Sequence, residues 1–179
     1  EDWIRETPEA IAYSSHTMMG PIPQVEGVNV ISLMLLRDPV ERIKSAYRFE
    51  RKQQADTLGA KLAKEHDFEG YVRARLAQPG DRQCRNFQTA RLASLVPGEA
   101  PEIERAKVAL EQVSVVGLVD RFDDAMSALA ARVRLVYPDF KWESVRANPT
   151  HKETKESSNI DAILQRQNLH DLQLLASIY

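Results

Sequence analysis

The chain has 179 residues, of which 43% are hydrophobic, with a formal net charge of −2 at pH 7 and one cysteine, Cys84. This length and composition predict a single globular domain over residues 1–179, and the slightly acidic balance argues against a nucleic-acid-binding protein, which would be basic. One cysteine excludes an intrachain disulfide and gives no zinc site, and the lack of any run of about 18 apolar residues predicts no membrane span.

Strand and helix patterns alternate along the chain. Strands are predicted over residues 10–15, 28–36 and 113–119, from short apolar runs bounded by turn residues. Helices are predicted over residues 39–54, 55–65, 67–76, 101–112, 122–137 and 160–179, with a short one beginning near residue 86. Alternation of this kind is typical of an α/β fold with a parallel sheet.

The most informative segment joins a predicted strand to a predicted helix. Residues 30–36 are almost continuously apolar and the run stops at Arg37, after which Asp38 suits the N-cap and Pro39 the first helical position. Unpaired N–H groups at such a helix start, beside an arginine, predict a site for a phosphate or similar anion. Ser45 lies two turns beyond Asp38 and returns to the same face. From the residues alone, a salt bridge from Arg37 to the acidic residues of the first turn is an equal alternative.

Five segments resemble, in the same order, sulfotransferases that use 3′-phosphoadenosine 5′-phosphosulfate (PAPS), in particular the branch that sulfates sugar hydroxyls. They are SSHTMMG (14–20), RDPVERIKSAY (37–47), NFQTARL (86–92), VVGLVDRFDDAM (115–126) and NPTHKETKESSNIDAILQRQN (148–168). Ordered matches over most of a chain are more specific than any one of them. The resemblance implies an α/β, P-loop-nucleotide-hydrolase-like three-layer fold around a central parallel sheet, with PAPS as donor and no metal.

The resemblance also implies roles for individual residues. Arg37 and Ser45 are expected to bind the 3′-phosphate of the donor, and Lys152 is expected to contact it from a loop that closes over the nucleotide. His16 is the expected general base, and imidazole titrates in the range that this role needs. Two residues of the NFQTARL segment, Gln88 and Arg91, are expected to bind the acceptor substrate.

Each assignment has a structural alternative that the residues leave open. His16 is equally consistent with a hydrogen-bonded residue where a strand meets a loop, Gln88 and Arg91 with the outer face of a helix, and Lys152 with a solvated charge run. Two further arginines are predicted to be structural. Arg42 is expected to be a surface charge, and Arg121, which follows a strand as Arg37 does, is expected to form a salt bridge with neighbouring acidic residues.

The chain departs from the family at the site of the 5′-phosphosulfate. The family binds that group with an N-terminal strand, a phosphate loop and a helix, whereas this sequence opens with EDWIRETPEA and contains no G-x-x-x-x-G-K-S/T motif or shortened relative of it. We therefore expect the chain to be the C-terminal part of a longer sulfotransferase domain. We also expect the 179 residues alone to be inactive in sulfuryl transfer.

The implied activity is transfer of a sulfuryl group from PAPS to a hydroxyl on a glycan or a small hydroxylated compound. Two other classes remain open. One is a kinase-like, nucleotide-binding phosphoryl transferase, in which Asp120 would bind magnesium, and the other is a noncatalytic binding domain of the same fold. A cytoplasmic location is favoured, as for a bacterial enzyme, and the Golgi lumen is expected for a fragment of a eukaryotic membrane-anchored one.

Overall fold

A computed structural model describes residues 1–14, 19–144 and 159–178. It is a mixed α/β structure, 54% helical, with a small two-stranded parallel sheet formed by β1 (Leu33–Leu36) and β2 (Val115–Leu118). The chain divides into two compact units: Glu1–Leu35 with Arg91–Glu143, called the first unit, and Leu36–Ala90 with Ser144–Tyr179, called the second unit. The single domain predicted over residues 1–179 stays a prediction.

Helices make up most of the described structure. They are α1 (Asp2–Glu6), α2 (Pro39–Lys52), α3 (Leu58–Glu65), α4 (Phe68–Ala77), α5 (Phe87–Ala93), α6 (Glu102–Gln112), α7 (Phe122–Val133), α8 (Asn159–Gln167) and α9 (Leu169–Ala176), with a short 3₁₀ turn at Val119–Arg121 before α7. Each helix predicted from the sequence is confirmed, with ends that differ by a few residues. Within the described ranges, none of these helices is long and apolar enough to cross a membrane.

The predicted strands are shorter than expected or missing. β1 begins at Leu33 rather than at residue 28. Residues 25–28 form a tight turn instead, in which Gly27 adopts a left-handed φ of 75° and the Val28 N–H donates to the Val25 carbonyl over 3.0 Å. The strand predicted over residues 10–15 is wrong for residues 10–14, which are irregular. There the Tyr13 hydroxyl donates to the Thr7 carbonyl instead of the backbone pairing with another strand.

The first unit holds β2, all of β1 except Leu36, and the helix α7 that follows β2. Gly117 of β2 lies directly against α7, since a Cβ built at this position would come within 2.3 Å of the Ala125 Cβ. Ala125 and Ala130 present small side chains on the buried face of α7. Small residues on both elements thus permit the close approach of this helix to its strand.

The core of the second unit packs against the buried face of α2. Val40, Ile43 and Tyr47 are buried, as the amphipathic pattern of this helix predicts. They pack in one cluster with buried side chains from α4, α8 and the loop before α5, namely Tyr71, Val72, Cys84, Ile160 and Leu164. Burial of an aliphatic or aromatic side chain of this kind contributes about 1.5–3 kcal/mol. The cluster therefore fixes α2 and, with it, the start of that helix.

Glu50 corrects one expectation for α2. The amphipathic pattern predicts that Glu50 is solvated, but its carboxylate accepts hydrogen bonds from Arg75 at 2.8 Å and from the Tyr71 hydroxyl at 2.7 Å. Arg75 also pairs with Asp81 over 2.7 Å. Gly59 leaves the room for this network, because a Cβ there would lie 2.1 Å from an Arg75 nitrogen. A cation from α4 thus turns an apparently exposed position into a buried ionic contact.

Candidate functional site

The start of α2 has the cap that the sequence predicts. β1 ends at Leu36, and the Asp38 side chain accepts hydrogen bonds from the backbone N–H groups of Val40 at 2.9 Å and Glu41 at 3.0 Å. The predicted N-cap is therefore confirmed. The prediction that these N–H groups are unpaired and available to an anion is wrong, because the carboxylate of Asp38 already occupies them. Any anion at this junction depends on side chains instead.

Arg37 supplies the cation at this junction. Arg37 as a whole is half-buried, whereas the Nε atom of its guanidinium is fully buried and has no hydrogen-bond partner. No carboxylate in the described ranges forms an ion pair with this guanidinium, so the alternative salt bridge to the acidic residues of α2 does not form there. A buried donor left without a partner costs about 1–3 kcal/mol. A ligand oxygen would relieve that cost.

Gln88 holds the backbone of Arg37. The Arg37 N–H donates to Gln88 Oε1 over 2.8 Å, and Gln88 Nε2 donates to the Arg37 carbonyl over 2.8 Å. Gln88 lies in the first turn of α5 and is only 7% exposed. Its side-chain amide is therefore engaged with the chain itself, and its predicted role in binding the acceptor stays a prediction.

Asp171 caps α5 from another helix. This fully buried residue of α9 accepts hydrogen bonds from the Thr89 N–H at 2.8 Å, the Thr89 hydroxyl at 2.6 Å and the Gln88 N–H at 3.2 Å. A carboxylate at a helix N-terminus satisfies unpaired donors and favours the helix dipole. The first turn of α5, and hence Gln88, is fixed by a contact with the C-terminal helix.

Two asparagines, Asn86 and Asn168, add hydrogen bonds in both directions between the start of α5 and the start of α9. The Asn86 N–H donates to Asn168 Oδ1 at 2.8 Å, while Asn86 Oδ1 accepts from the N–H of His170 at 3.1 Å. Asn86 adopts a left-handed φ of 40°, which asparagine tolerates better than most residues. Sequence analysis missed Asn168 and Asp171. Their spacing, Asn-x-x-Asp, is typical of a local helix cap, but Asn168 makes no side-chain cap bond to α9, so the spacing does not predict the bonds to the start of α5.

Arg42 corrects another expectation, since it is not a surface charge. Its guanidinium lies 4.5 Å above the centre of the Phe87 ring and donates to the Gln83 carbonyl, while its Nε is buried without a partner. Burial lowers the pKa of Arg42, and the negative charge of Asp171 opposes this shift only in part. Stacking on an aromatic face suits a guanidinium that has lost water. Arg42 thus ties α2 to the segment that carries Gln88.

Ser45 is a half-buried residue of α2, two turns after the cap. Its neighbour Lys44 pairs with Asp161 of α8 over 3.0 Å. Burial by itself would lower the pKa of Lys44, but the hydrogen bond and charge of Asp161 outweigh it and raise this pKa above its ordinary value. The contact of α8 with α2 therefore lies one residue from Ser45.

The remaining predicted site residues are not all described. His16 and Lys152 lie outside the described ranges, so their roles stay predictions. Arg91 is half-buried in the last turn of α5, and its role with the acceptor is likewise untested. Over residues 1–14, 19–144 and 159–178, no group of three or more His, Cys, Asp or Glu side chains could hold a metal ion. The described part of the site is thus Arg37 with the residues that support it.

Comparison with curated proteins identifies a relative of this chain. No protein-family model and no solved structure matches the chain. A protein of Archaeoglobus fulgidus, described as uncharacterized, is 37% identical over 154 residues, which represent 82% of this chain and 60% of the relative. The chain therefore spans about 60% of the length of that relative.

Proposed function

We propose that this chain belongs to a sulfotransferase that moves a sulfuryl group from PAPS to a hydroxyl, with a carbohydrate as the expected acceptor. The proposal includes a P-loop-like three-layer fold around a parallel sheet. The observation that carries it is Arg37, placed directly after β1, with a buried Nε that lacks a partner and no carboxylate paired with it among the described residues. This is the chemistry of an anion site.

Arg37 would bind the 3′-phosphate of the donor through charge-assisted hydrogen bonds. A guanidinium presents parallel N–H groups that match phosphate oxygens, and such contacts are stronger than those between neutral groups. Ser45, on α2 two turns after its N-cap, would add a hydroxyl. The Asp38 carboxylate already accepts hydrogen bonds from the N–H groups at the start of α2, so recognition of the 3′-phosphate would depend on Arg37 rather than on these N–H groups.

The proposed reaction is an in-line displacement at sulfur. The acceptor oxygen forms a bond to sulfur as the bond from sulfur to the 5′-phosphate oxygen breaks, which releases adenosine 3′,5′-bisphosphate. His16 takes the proton of the acceptor hydroxyl. Chemistry of this kind depends mainly on positioning and on stabilisation of charge, as in phosphoryl transfer. A 3′-phosphate held by Arg37 would fix the donor at the end remote from the reacting bond.

Calorimetry with two nucleotides tests the anion site. We expect the complete protein to bind adenosine 3′,5′-bisphosphate more tightly than adenosine 5′-monophosphate. Arg37→Ala should remove that preference, at a cost of about 1.5–3 kcal/mol or about ten- to a hundredfold in affinity. Arg121→Ala is the matched control, since this arginine also follows a strand but is exposed and paired with Asp124. Equal affinity of the unsubstituted chain for the two nucleotides would refute the proposal.

His16→Ala tests the catalytic part. In the complete protein, we expect turnover to fall by about a hundredfold or more, because general-base catalysis contributes in that range, while nucleotide affinity stays within about twofold. Steady-state sulfation rates and calorimetry on the same preparation give the two quantities. A folded variant that keeps its turnover would show that His16 is not the base.

A further inference from the structure

We propose that Gln88 is the positioning residue of the 3′-phosphate site, acting through Arg37 rather than on the substrate. This inference rests on the proposed function for the ligand, and on the structure for the contact. Both polar groups of the Gln88 side chain are used on one residue: Oε1 accepts from the Arg37 N–H and Nε2 donates to the Arg37 carbonyl, each over 2.8 Å.

The position of this contact explains why it is needed. β1 ends at Leu36 and α2 begins at Pro39, so Arg37 belongs to neither element. Its backbone groups would otherwise have no ladder partner and no helical partner. The Gln88 amide takes the place of the next strand residue and pairs with both groups. The direction in which the Arg37 side chain leaves the backbone is thereby fixed.

Gln88 is itself held in one orientation. Asp171 Oδ2 accepts from the Gln88 N–H at 3.2 Å, and it lies 3.5 Å from Nε2, at the limit of a hydrogen bond. A rotated amide would set its carbonyl oxygen against this carboxylate and against the Arg37 carbonyl. Because a displacement of about 1 Å at a binding group is enough to impair a site, a rigid support for Arg37 has a functional consequence.

A pair of substitutions separates positioning from stability. Gln88→Met keeps the length of the side chain but removes both bonds to Arg37. Thr89→Val is the matched control, because it removes a buried hydrogen bond to the same Asp171 and leaves the bonds of Gln88 in place. The readout is the ratio of affinities for adenosine 3′,5′-bisphosphate and adenosine 5′-monophosphate, together with the melting temperature. We expect a lower melting temperature in both variants. Only in Gln88→Met do we expect the ratio of the two affinities to fall, by about tenfold.

The outcomes can be told apart. If the unsubstituted chain shows no preference for the 3′-phosphate, the proposed function fails. If it shows the preference and Gln88→Met retains it, the positioning role of Gln88 fails alone. Hydrogen exchange of the Arg37 amide supplies a readout without ligand, and we expect at least tenfold faster exchange in Gln88→Met but not in Thr89→Val. Unchanged protection of this amide in Gln88→Met would overturn the inference.

A second variant covers the case in which Gln88→Met does not fold. Gln88→Asn keeps an uncharged amide but shortens the side chain by one methylene, which weakens the bonds to Arg37 without placing a second carboxylate beside Asp171. We expect the affinity ratio in this variant to fall by a smaller factor, about threefold, with the Arg37 amide partly protected. A ratio equal to that of the unsubstituted chain would count against the positioning role.

Discussion

Among the described residues, the strand-to-helix junctions after β1 and after β2 each carry an arginine, in opposite environments. At the end of β2, Arg121 is 61% exposed and pairs with Asp124 over 2.8 Å, three residues along the chain. Arg121 is also the N-cap of α7, where no side chain caps the helix. At the end of β1, Arg37 is half-buried, and its helix is capped by Asp38. One pattern of strand, arginine and helix thus gives a surface ion pair in one case and, in the other, a half-buried cation whose Nε lacks a partner.

The two arginines differ in how far along the chain their hydrogen-bond partners lie. Asp124 is a local partner that the sequence identifies, and the predicted salt bridge of Arg121 is confirmed. The backbone of Arg37 is held by Gln88, 51 residues away, and Gln88 depends on Asp171, a further 83 residues along. Surface pairs contribute about 0–1 kcal/mol, whereas buried polar contacts cost several times that to break. The predictions below test this contrast.

Thiol reactivity should show the largest contrast. Cys84 belongs to the core behind α2, and burial raises its pKa from 9.0 to about 12. At pH 8 the thiolate fraction, and with it the rate of labelling by a disulfide reagent, should be about a thousandfold lower than in urea-unfolded chain. A Cys84→Ser, Arg121→Cys variant supplies an exposed thiol at the other junction as control, and it should label rapidly in the folded state. Rapid labelling of native Cys84 would contradict a sealed core.

The same shift has a pH consequence with a definite sign. The folded state holds the Cys84 proton more tightly than the unfolded state does, so this stabilisation is complete below pH 9 and is lost as the pH rises towards 12. Cys84→Ala should flatten that part of the pH profile of the free energy of unfolding. Urea titrations of both chains between pH 8 and pH 11 check this; parallel profiles would rule out the effect.

Asp171→Ala should be the most damaging single substitution for stability. It leaves the N–H groups of Gln88 and Thr89 and the Thr89 hydroxyl buried without an acceptor. We expect a loss of about 3 kcal/mol or more in the free energy of unfolding, measured by urea titration. Asp56→Ala is the control, because this carboxylate is 88% exposed and pairs with Lys61 at the surface. Equal losses in the two variants would mean that Asp171 does not support the Arg37 junction.

The smallest contrast concerns the caps. Asp38→Ala removes the acceptor for two N–H groups of α2 and should cost about 1 kcal/mol. At the other junction, Asp124→Asn weakens only an exposed ion pair and should change the free energy of unfolding by less than about 0.5 kcal/mol. Thermal and urea unfolding of both variants give these values. A larger loss for Asp124→Asn than for Asp38→Ala would reverse the comparison.

Local signals account for what the sequence predicted well. The Asp38-Pro39 start of α2, its buried face, and the ion pair of Arg121 all depend on residues within one or two turns, so helical periodicity and capping preferences are sufficient. The extent of the strands was predicted less well. A strand needs a partner: residues 10–14 have none in the structure, and β1 pairs with β2 only from Leu33 to Leu36.

The sequence by itself thus determined where the helices from α2 to α9 lie, but not α1, and which arginine follows each strand of the sheet. Only the tertiary structure decided that Arg42 is buried against Phe87, that Glu50 pairs with Arg75, and that Gln88 holds Arg37. These contacts join residues far apart in the chain. Whether a charged or amide side chain is stable at its position depends mainly on its burial and on its hydrogen-bond partners in the folded protein, and less on the residues beside it in the sequence. No local pattern carries that information, because it arises only when α2, α4, α9 and the first turn of α5 pack against one another.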